Sequence, residues 1–260
     1  MRVGRRSFGG YGTRVSGPSE MSTPRYAIYA LPAASSALWR FGTAVIGYDS
    51  RKGREISAWT PVGFTLEQWQ EWTSEPRRYG FHATIVAPFE LRTGFTEAEL
   101  VETVDRFAAL HNPLRLKPLA VTRMGSFIAL CQTGPQDAVN RFASDIVTRF
   151  NRFRAPLSDF DLTRRTKPDL SLRQAEYLRR FGYPYVHEEY RFHMTLTGSL
   201  PQPALPKVFP LLEQAYADID DELFIISTLC VLRQDSRSEP FHVIGEVLLE
   251  EEFTGLGAWR

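Results

Sequence analysis

From Arg25 onward, apolar residues recur in two ways: at alternate positions in short runs, and at every third or fourth position in longer ones. Residues 25–32, RYAIYALP, read as a strand closed by Pro32, and residues 34–47 place Leu38, Trp39, Phe41 and Val45 on one helix face. Thr65 with Gln68 makes a capping box for a helix carrying Trp69 and Trp72, and residues 80–91, GFHATIVAPFEL, predict a strand. A second capping box, Thr96 with Glu99, opens a helix with Leu100, Val101, Val104, Phe107 and Leu110 at helical spacing, ending near His111-Asn112-Pro113. Residues 114–133 predict two strands meeting around Met124-Gly125-Ser126, and residues 136–150 a helix with Val139, Phe142, Ile146 and Val147.

Taken together, 25–150 is expected as one α+β lobe, and a strand at 189–200, a helix at 203–217 and β runs at 222–233 and 241–250 as a second lobe, 189–260. Between them, 151–188 is rich in arginine, tyrosine and proline, with eight basic residues against five acidic ones, and reads as a basic insertion. Residues 1–24 carry arginine, glycine and serine with little to pack and read as a flexible leader. Arg5 and Arg6 are followed by Phe8 but not by an apolar stretch, so an export signal is not expected, and Met21 is an alternative translational start.

One internal repeat stands out. Tyr79-Gly80-Phe81-His82-Ala83-Thr84-Ile85 matches Tyr190-Arg191-Phe192-His193-Met194-Thr195-Leu196 in register, sharing Tyr, Phe, His and Thr. On a strand, Phe81, Ala83 and Ile85 point one way and His82 and Thr84 the other; Phe192, Met194 and Leu196 repeat the apolar face behind His193 and Thr195. Packing accounts for the repeated apolar face but not for the same polar pair in the same order. If the two halves pack with their sheets facing, two His-Thr pairs converge on one cleft. Such a site suits acid–base cleavage of a phosphate ester without a metal: a neutral imidazole takes a proton, a protonated one gives a proton to the leaving oxygen, and the hydroxyls donate to phosphate oxygens.

Composition narrows the alternatives. Lys and Arg number 31 against 30 Asp and Glu, a net charge of +1, so attraction to phosphate has to be local rather than a property of the whole surface. Cys131 and Cys230 both sit in apolar runs and read as buried thiols, which points to a reduced, cytoplasmic setting. No run approaches the ~18 apolar residues of a membrane span, so a soluble chain is expected. No HExxH, HxH, cysteine pair or Gly-rich phosphate loop is present, so neither a metal nor a cofactor is expected.

The paired motifs His82-Ala83-Thr84-Ile85 and His193-Met194-Thr195-Leu196 resemble those of the two-histidine (2H) phosphoesterase superfamily. RYAIYALP, Leu38-Trp39-Arg40-Phe41-Gly42, PRRYGFHAT, FRAPLS and GYPYV with RFHMTLTGSL are similar to the branch of that superfamily associated with carbon–phosphorus lyase systems in phosphonate metabolism. The resemblance implies a bilobal α+β fold with two pseudo-symmetric antiparallel sheets, flanking helices and a central cleft. It also implies catalysis by His82, His193, Thr84 and Thr195, and a small cyclic phosphodiester as substrate, such as a ribose cyclic phosphate from phosphonate breakdown.

Gly80 and Arg191 occupy equivalent places, so the site is expected to be asymmetric, with Arg191 supplying charge to the phosphate and biasing His193 toward base and His82 toward acid. Arg78 shares the parity of His82 and is a second phosphate candidate, and Tyr185 a third substrate-binding one; His187 is near enough in sequence to line the pocket, whereas His111 and His242 read as structural or surface residues. Two rival functions stay open. One is an RNA 2′,3′-cyclic phosphodiesterase or ligase using the 151–188 arginines with Tyr177, Tyr183 and Tyr185; the other is a non-catalytic module that binds a cyclic phosphate.

Overall fold

A computed structural model describes residues 23–219 and 224–250. In chain order the elements are β1 (Arg25–Ala30), α1 (Ala37–Ile46), β2 (Tyr48–Asp49), β3 (Arg54–Glu55), α2 (Leu66–Trp72), α3 (Ser74–Tyr79), β4 (Ala83–Glu90) and α4 (Glu97–Ala108). There follow β5 (Leu114–Arg115), β6 (Leu119–Met124), β7 (Phe127–Gln132), α5 (Asp137–Phe150), α6 (Asp159–Arg165), α7 (Leu172–Phe181) and β8 (His193–Thr195). The last are α8 (Leu205–Ala217), β9 (Ile225–Ile226), β10 (Thr228–Gln234) and β11 (His242–Leu248). The expected leader at 1–24 lies almost wholly outside the described residues.

The α+β class expected from the periodicity is what folds, but the arrangement of the strands differs from the expected pair of facing sheets. One antiparallel seven-stranded sheet runs in the order β11-β10-β1-β4-β8-β7-β6, flanked by two short ribbons, β2-β3 and β5-β9. Its centre is the pairing of β4 with β8, where Ala83 faces Met194. Two separate sheets would have left these two strands as bare edges with unpaired N–H and C=O groups; joining them satisfies both edges at once.

The lobes drawn along the sequence also do not match those in space. β6 and β7, expected in the first lobe, join β8, while β10 and β11, expected in the second, join β1. The 151–188 segment is not a bare loop: Ser158 and Ser171 cap α6 and α7. The strand expected at 80–91 starts only at Ala83, because α3 runs up to Tyr79 and Gly80 turns the chain with φ +78°. The one expected at 189–200 shrinks to three residues behind a 3-10 turn at His187–Glu189.

The core follows the predicted alternation. Phe81, Ala83, Ile85, Phe192, Met194 and Leu196 are each at most 2% exposed, and they join Tyr29, Trp69, Val104 and Ile146 in one apolar cluster. Both predicted capping boxes form, at Thr65 with Gln68 and at Thr96 with Glu99. Leu110 is the exception on its helix: α4 ends at Ala108, and Leu110 lies in solvent beyond it. No helix among the described residues is long and apolar enough to cross a membrane.

Candidate active site

Ala83 facing Met194 in an antiparallel pair sets the neighbouring positions: His82 falls opposite Thr195, and Thr84 opposite His193. Residues opposite one another share a face, so the two His-Thr pairs meet on one side of the sheet, each histidine beside the other motif's threonine. The cleft expected between two facing sheets is instead a patch on a continuous one. Tyr29 of β1 pairs with Thr84 on one flank, and Cys131 of β7 with His193 on the other.

Both imidazoles are held in the same way. His82 Nδ1 is 2.8 Å from the Gly80 carbonyl oxygen, and His193 Nδ1 is 2.8 Å from the Arg191 carbonyl oxygen. A carbonyl only accepts, so each Nδ1 carries the proton and donates it, and each Nε2 keeps a lone pair. At His82 that lone pair accepts the Thr84 hydroxyl at 3.0 Å. At His193, Nε2 has no protein partner among the described residues, and the ring lies near Phe127. The His82 ring is stacked on Tyr29, with centroids 3.7 Å apart and planes 18° from parallel. Below Thr84, its carbonyl accepts from the buried Tyr190 hydroxyl at 3.0 Å.

Burial sets the proton affinity. It lowers His82 from the ordinary 6.5 to about 4, the Gly80 carbonyl opposing this and the charge of a protonated His193 adding to it. Burial lowers His193 as well, against the pull of the Arg191 carbonyl. Both rings are therefore neutral near pH 7 in the unliganded protein.

The other expected residues fare unequally. Arg191 contributes its carbonyl rather than its charge: the guanidinium is exposed, so the expected asymmetry does not come from it. Arg78 is likewise exposed, and its carbonyl fixes Phe241 through the Phe241 N–H at 2.8 Å. Tyr185 is half-buried, edge-on to Tyr183. His187 turns away from the His-Thr patch, bonding Ser144 on α5 and packing on Tyr177 and Phe181. His111 stacks on Phe107 and bonds its carbonyl, and His242 pairs with Arg233 in the sheet, both structural roles. Sequence reading missed Tyr29, although its place at alternate positions from Arg25 in β1 was the available signal. Among the described residues, no three His, Cys, Asp or Glu side chains gather as a metal-ligand set.

Three comparisons bear on this arrangement. The model of a family described as "Protein of unknown function (DUF1045)" matches residues 84–242, a stretch that contains Thr84, His193 and Thr195 and starts two residues after His82. A ribose 1,5-bisphosphate phosphokinase PhnN of Janthinobacterium sp. (strain Marseille) is 33% identical over 227 residues, covering 86% of this chain and 50% of that protein. One of the same name from Laribacter hongkongensis (strain HLHK9) is 33% identical over 200 residues, covering 77% of this chain and 45% of that protein. The chain thus spans about half the length of the curated relatives it matches. Among solved structures, TT0787 of Thermus thermophilus matches with a TM-score of 0.41 and 14% identity, over 88% of this chain and 99% of that one.

Proposed function

This chain belongs to the DUF1045 family, and from the geometry of its site we propose that it is a phosphodiesterase that opens a small cyclic phosphodiester by general acid–base catalysis between His82 and His193, without a metal. The observation that carries this reading is the doubled arrangement itself. Two imidazoles with Nδ1 pinned to a carbonyl leave two Nε2 atoms for proton transfer, on one face with two threonine hydroxyls.

His82, the ring held about 4, is the base. Water attacks phosphorus while His82 Nε2 takes its proton; the bond from phosphorus to one ring oxygen breaks, and His193 Nε2–H gives that oxygen its proton. One water is consumed, a monoester and an alcohol result, and the two imidazoles exchange roles until solvent resets them. His193 becomes protonated when the anionic ester binds beside it, since a nearby negative charge favours the imidazolium. Its Nε2 has no protein partner among the described residues, and that of His82 is freed for the water proton as Thr84 turns its hydroxyl from the ring to the phosphate. Thr84 and Thr195 then donate to the non-bridging oxygens, where charge accumulates. This assignment reverses the one expected from Arg191.

The relatives' names support a choice of substrate. A kinase of ribose 1,5-bisphosphate needs that compound, and opening 5-phosphoribosyl 1,2-cyclic phosphate at the 2-oxygen yields it. A kinase role for the present chain is not favoured, because its 260 residues contain no G-x-x-x-x-G-K-[ST] loop. The name belongs to proteins about twice the matched length.

Turnover followed by phosphorus NMR in EDTA, for the wild type, His82→Ala and His193→Ala, tests the reading. Each substitution is expected to lower the rate by ~10²–10⁴-fold, with 5-phosphoribosyl 1,2-cyclic phosphate preferred over 2′,3′-cyclic nucleotides. Undiminished hydrolysis in either variant overturns it.

A further inference from the structure

Among the described residues, three arginines close to the site have no acidic side chain at ion-pair distance, although the buried Asp161 acts on all three from farther away. Arg25 is 4% exposed and Arg154 9%, and Arg165 is half-buried. Arg25 donates only to the Gln234 side-chain oxygen, Arg154 Nε to the Phe181 carbonyl at 2.7 Å, and Arg165 to the carbonyls of Gly182 and Pro88. The acids nearby are already engaged: Asp161 is paired with Arg237 and Arg164, and Glu90 with Arg237. Arg25 Nη1 is buried with no hydrogen-bond partner among the described residues. An arginine cannot shed its proton to escape this, and a buried charge without a counter-charge is costly. Asp161 and Glu90, set against Arg25, Arg154, Arg164, Arg165 and Arg237, leave the region with more positive than negative charge, which an anion from outside the chain would balance.

Their place in the fold indicates where that anion sits. Arg25 lies on β1 at alternate positions from Tyr29, about 13 Å of strand away, and Tyr29 carries the His82 ring. Its guanidinium is 5.5 Å from the centre of the Phe241 ring, which stacks on Tyr79 and lies 6.3 Å from Tyr29. Arg165 bonds the carbonyl of Gly182, next to Tyr183, and that of Pro88 on β4, the strand that carries Thr84. The cavity shared by Arg25 and Arg154, about 10 Å³, holds no more than one water, so the anion does not lie between those two. Arg154 has its guanidinium in the space left by the missing side chain of Gly182.

We propose that Arg25 and Arg165, with Tyr79 and Tyr183, form a second anion subsite that takes a phosphomonoester on the substrate while the His-Thr patch acts on its cyclic diester. The proposal rests on the phosphodiesterase reading for its substrate, and it sets the chemical class: a sugar bearing both a cyclic phosphate and a terminal phosphate. Plain 2′,3′-cyclic nucleotides lack the second group.

The test compares kcat/KM for 5-phosphoribosyl 1,2-cyclic phosphate with that for ribose 1,2-cyclic phosphate, in the wild type, Arg25→Gln and Arg165→Gln. Calorimetric titration with ribose 5-phosphate and with ribose accompanies it. The wild type is expected to prefer the phosphorylated ester by at least ~100-fold and each variant to lose at least tenfold of that preference. Wild-type protein is expected to bind ribose 5-phosphate and not ribose, with binding lost in Arg165→Gln. An unchanged preference in both variants overturns the subsite while leaving the diesterase intact. If the wild type opens neither ester, the diesterase reading falls and the titration decides the subsite alone. The titration also decides if the buried Arg25→Gln variant fails to fold, and absence of ribose 5-phosphate binding to the wild type overturns the subsite.

Discussion

Replacing Gly42 by alanine sets two forces of opposite sign against each other. Gly42 lies inside α1, where glycine to alanine ordinarily stabilises by about 1 kcal/mol. A Cβ at this position, however, would overlap the Cγ, Cδ1 and Cε1 atoms of Phe81, a ring with 0% exposure. Carbon atoms rest ~3.5–4.0 Å apart, so the ring has to retreat by more than ~1 Å, and protein interiors are close-packed. Overpacking of this kind costs about 1–3 kcal/mol, and overlap with three ring atoms places it at the upper end. The net is a loss of about 2 kcal/mol, equivalent to a melting temperature lower by about 4–8 °C for a chain of this size. Phe81 directly precedes His82, so the same displacement is expected to lower turnover. The assay is thermal and urea unfolding of Gly42→Ala, Phe81→Leu and the double variant, because trimming the ring should relieve the clash and make the double variant more stable than the sum of the single effects. A stabilised Gly42→Ala, or strictly additive effects, would refute the reasoning.

Acid sensitivity is expected from His82. Its folded value of about 4 lies below the ordinary 6.5, so between these values the unfolded chain binds a proton that the folded one excludes. The stability is fully present above pH 6.5 and is lost as pH falls to about 4, by on the order of 3 kcal/mol, with His193 adding in the same direction. Urea unfolding between pH 4 and 7 should show the slope, and His82→Gln should flatten it. Thr96→Ala removes the hydroxyl that accepts from Glu99 N–H at 3.2 Å; a loss of about 1 kcal/mol in urea unfolding with unchanged turnover is the expected result. Gly182→Ala meets both a φ of +66° and the Arg154 guanidinium. It is expected to destabilise by at least about 1 kcal/mol, and a calorimetric melt no lower than wild type would contradict the packing described here.

Much of the candidate site's layout was legible because it is written in side chains at fixed spacing. His82, Thr84, His193 and Thr195 share a face for the reason their alternation gives, and the capping boxes at Thr65 and Thr96 needed only hydroxyl and amide at the right separation. What could not be read is what depends on backbone and on distant partners. The carbonyls that orient both histidines belong to Gly80 and Arg191, residues with nothing in common but their main chain, so a search for side-chain identity passes over them. The pairing of β4 with β8, which turns two expected sheets into one, involves Ala83 and Met194, whose apolar character is equally suited to facing sheets. Arg25, Arg154 and Arg165 could be seen as basic residues, but only the fold shows that the ion pairs of Asp161 and Glu90 go to Arg237.

The exchange of strands between the two halves has a consequence for how the chain is made. Arg25 at the start of β1 pairs with Gln234, so one edge of the first described strand stays open until about 200 further residues have left the ribosome. Contacts between such distant positions make for slow, all-or-none folding, and neither residues 25–150 nor residues 189–260 hold a full set of neighbours for their own strands. Expressed separately with residues 151–188 kept on the first piece, the two are expected to recover structure only when mixed, and the turnover proposed above should arrive with β10 and β11, strands that carry none of the four His and Thr residues of the repeat.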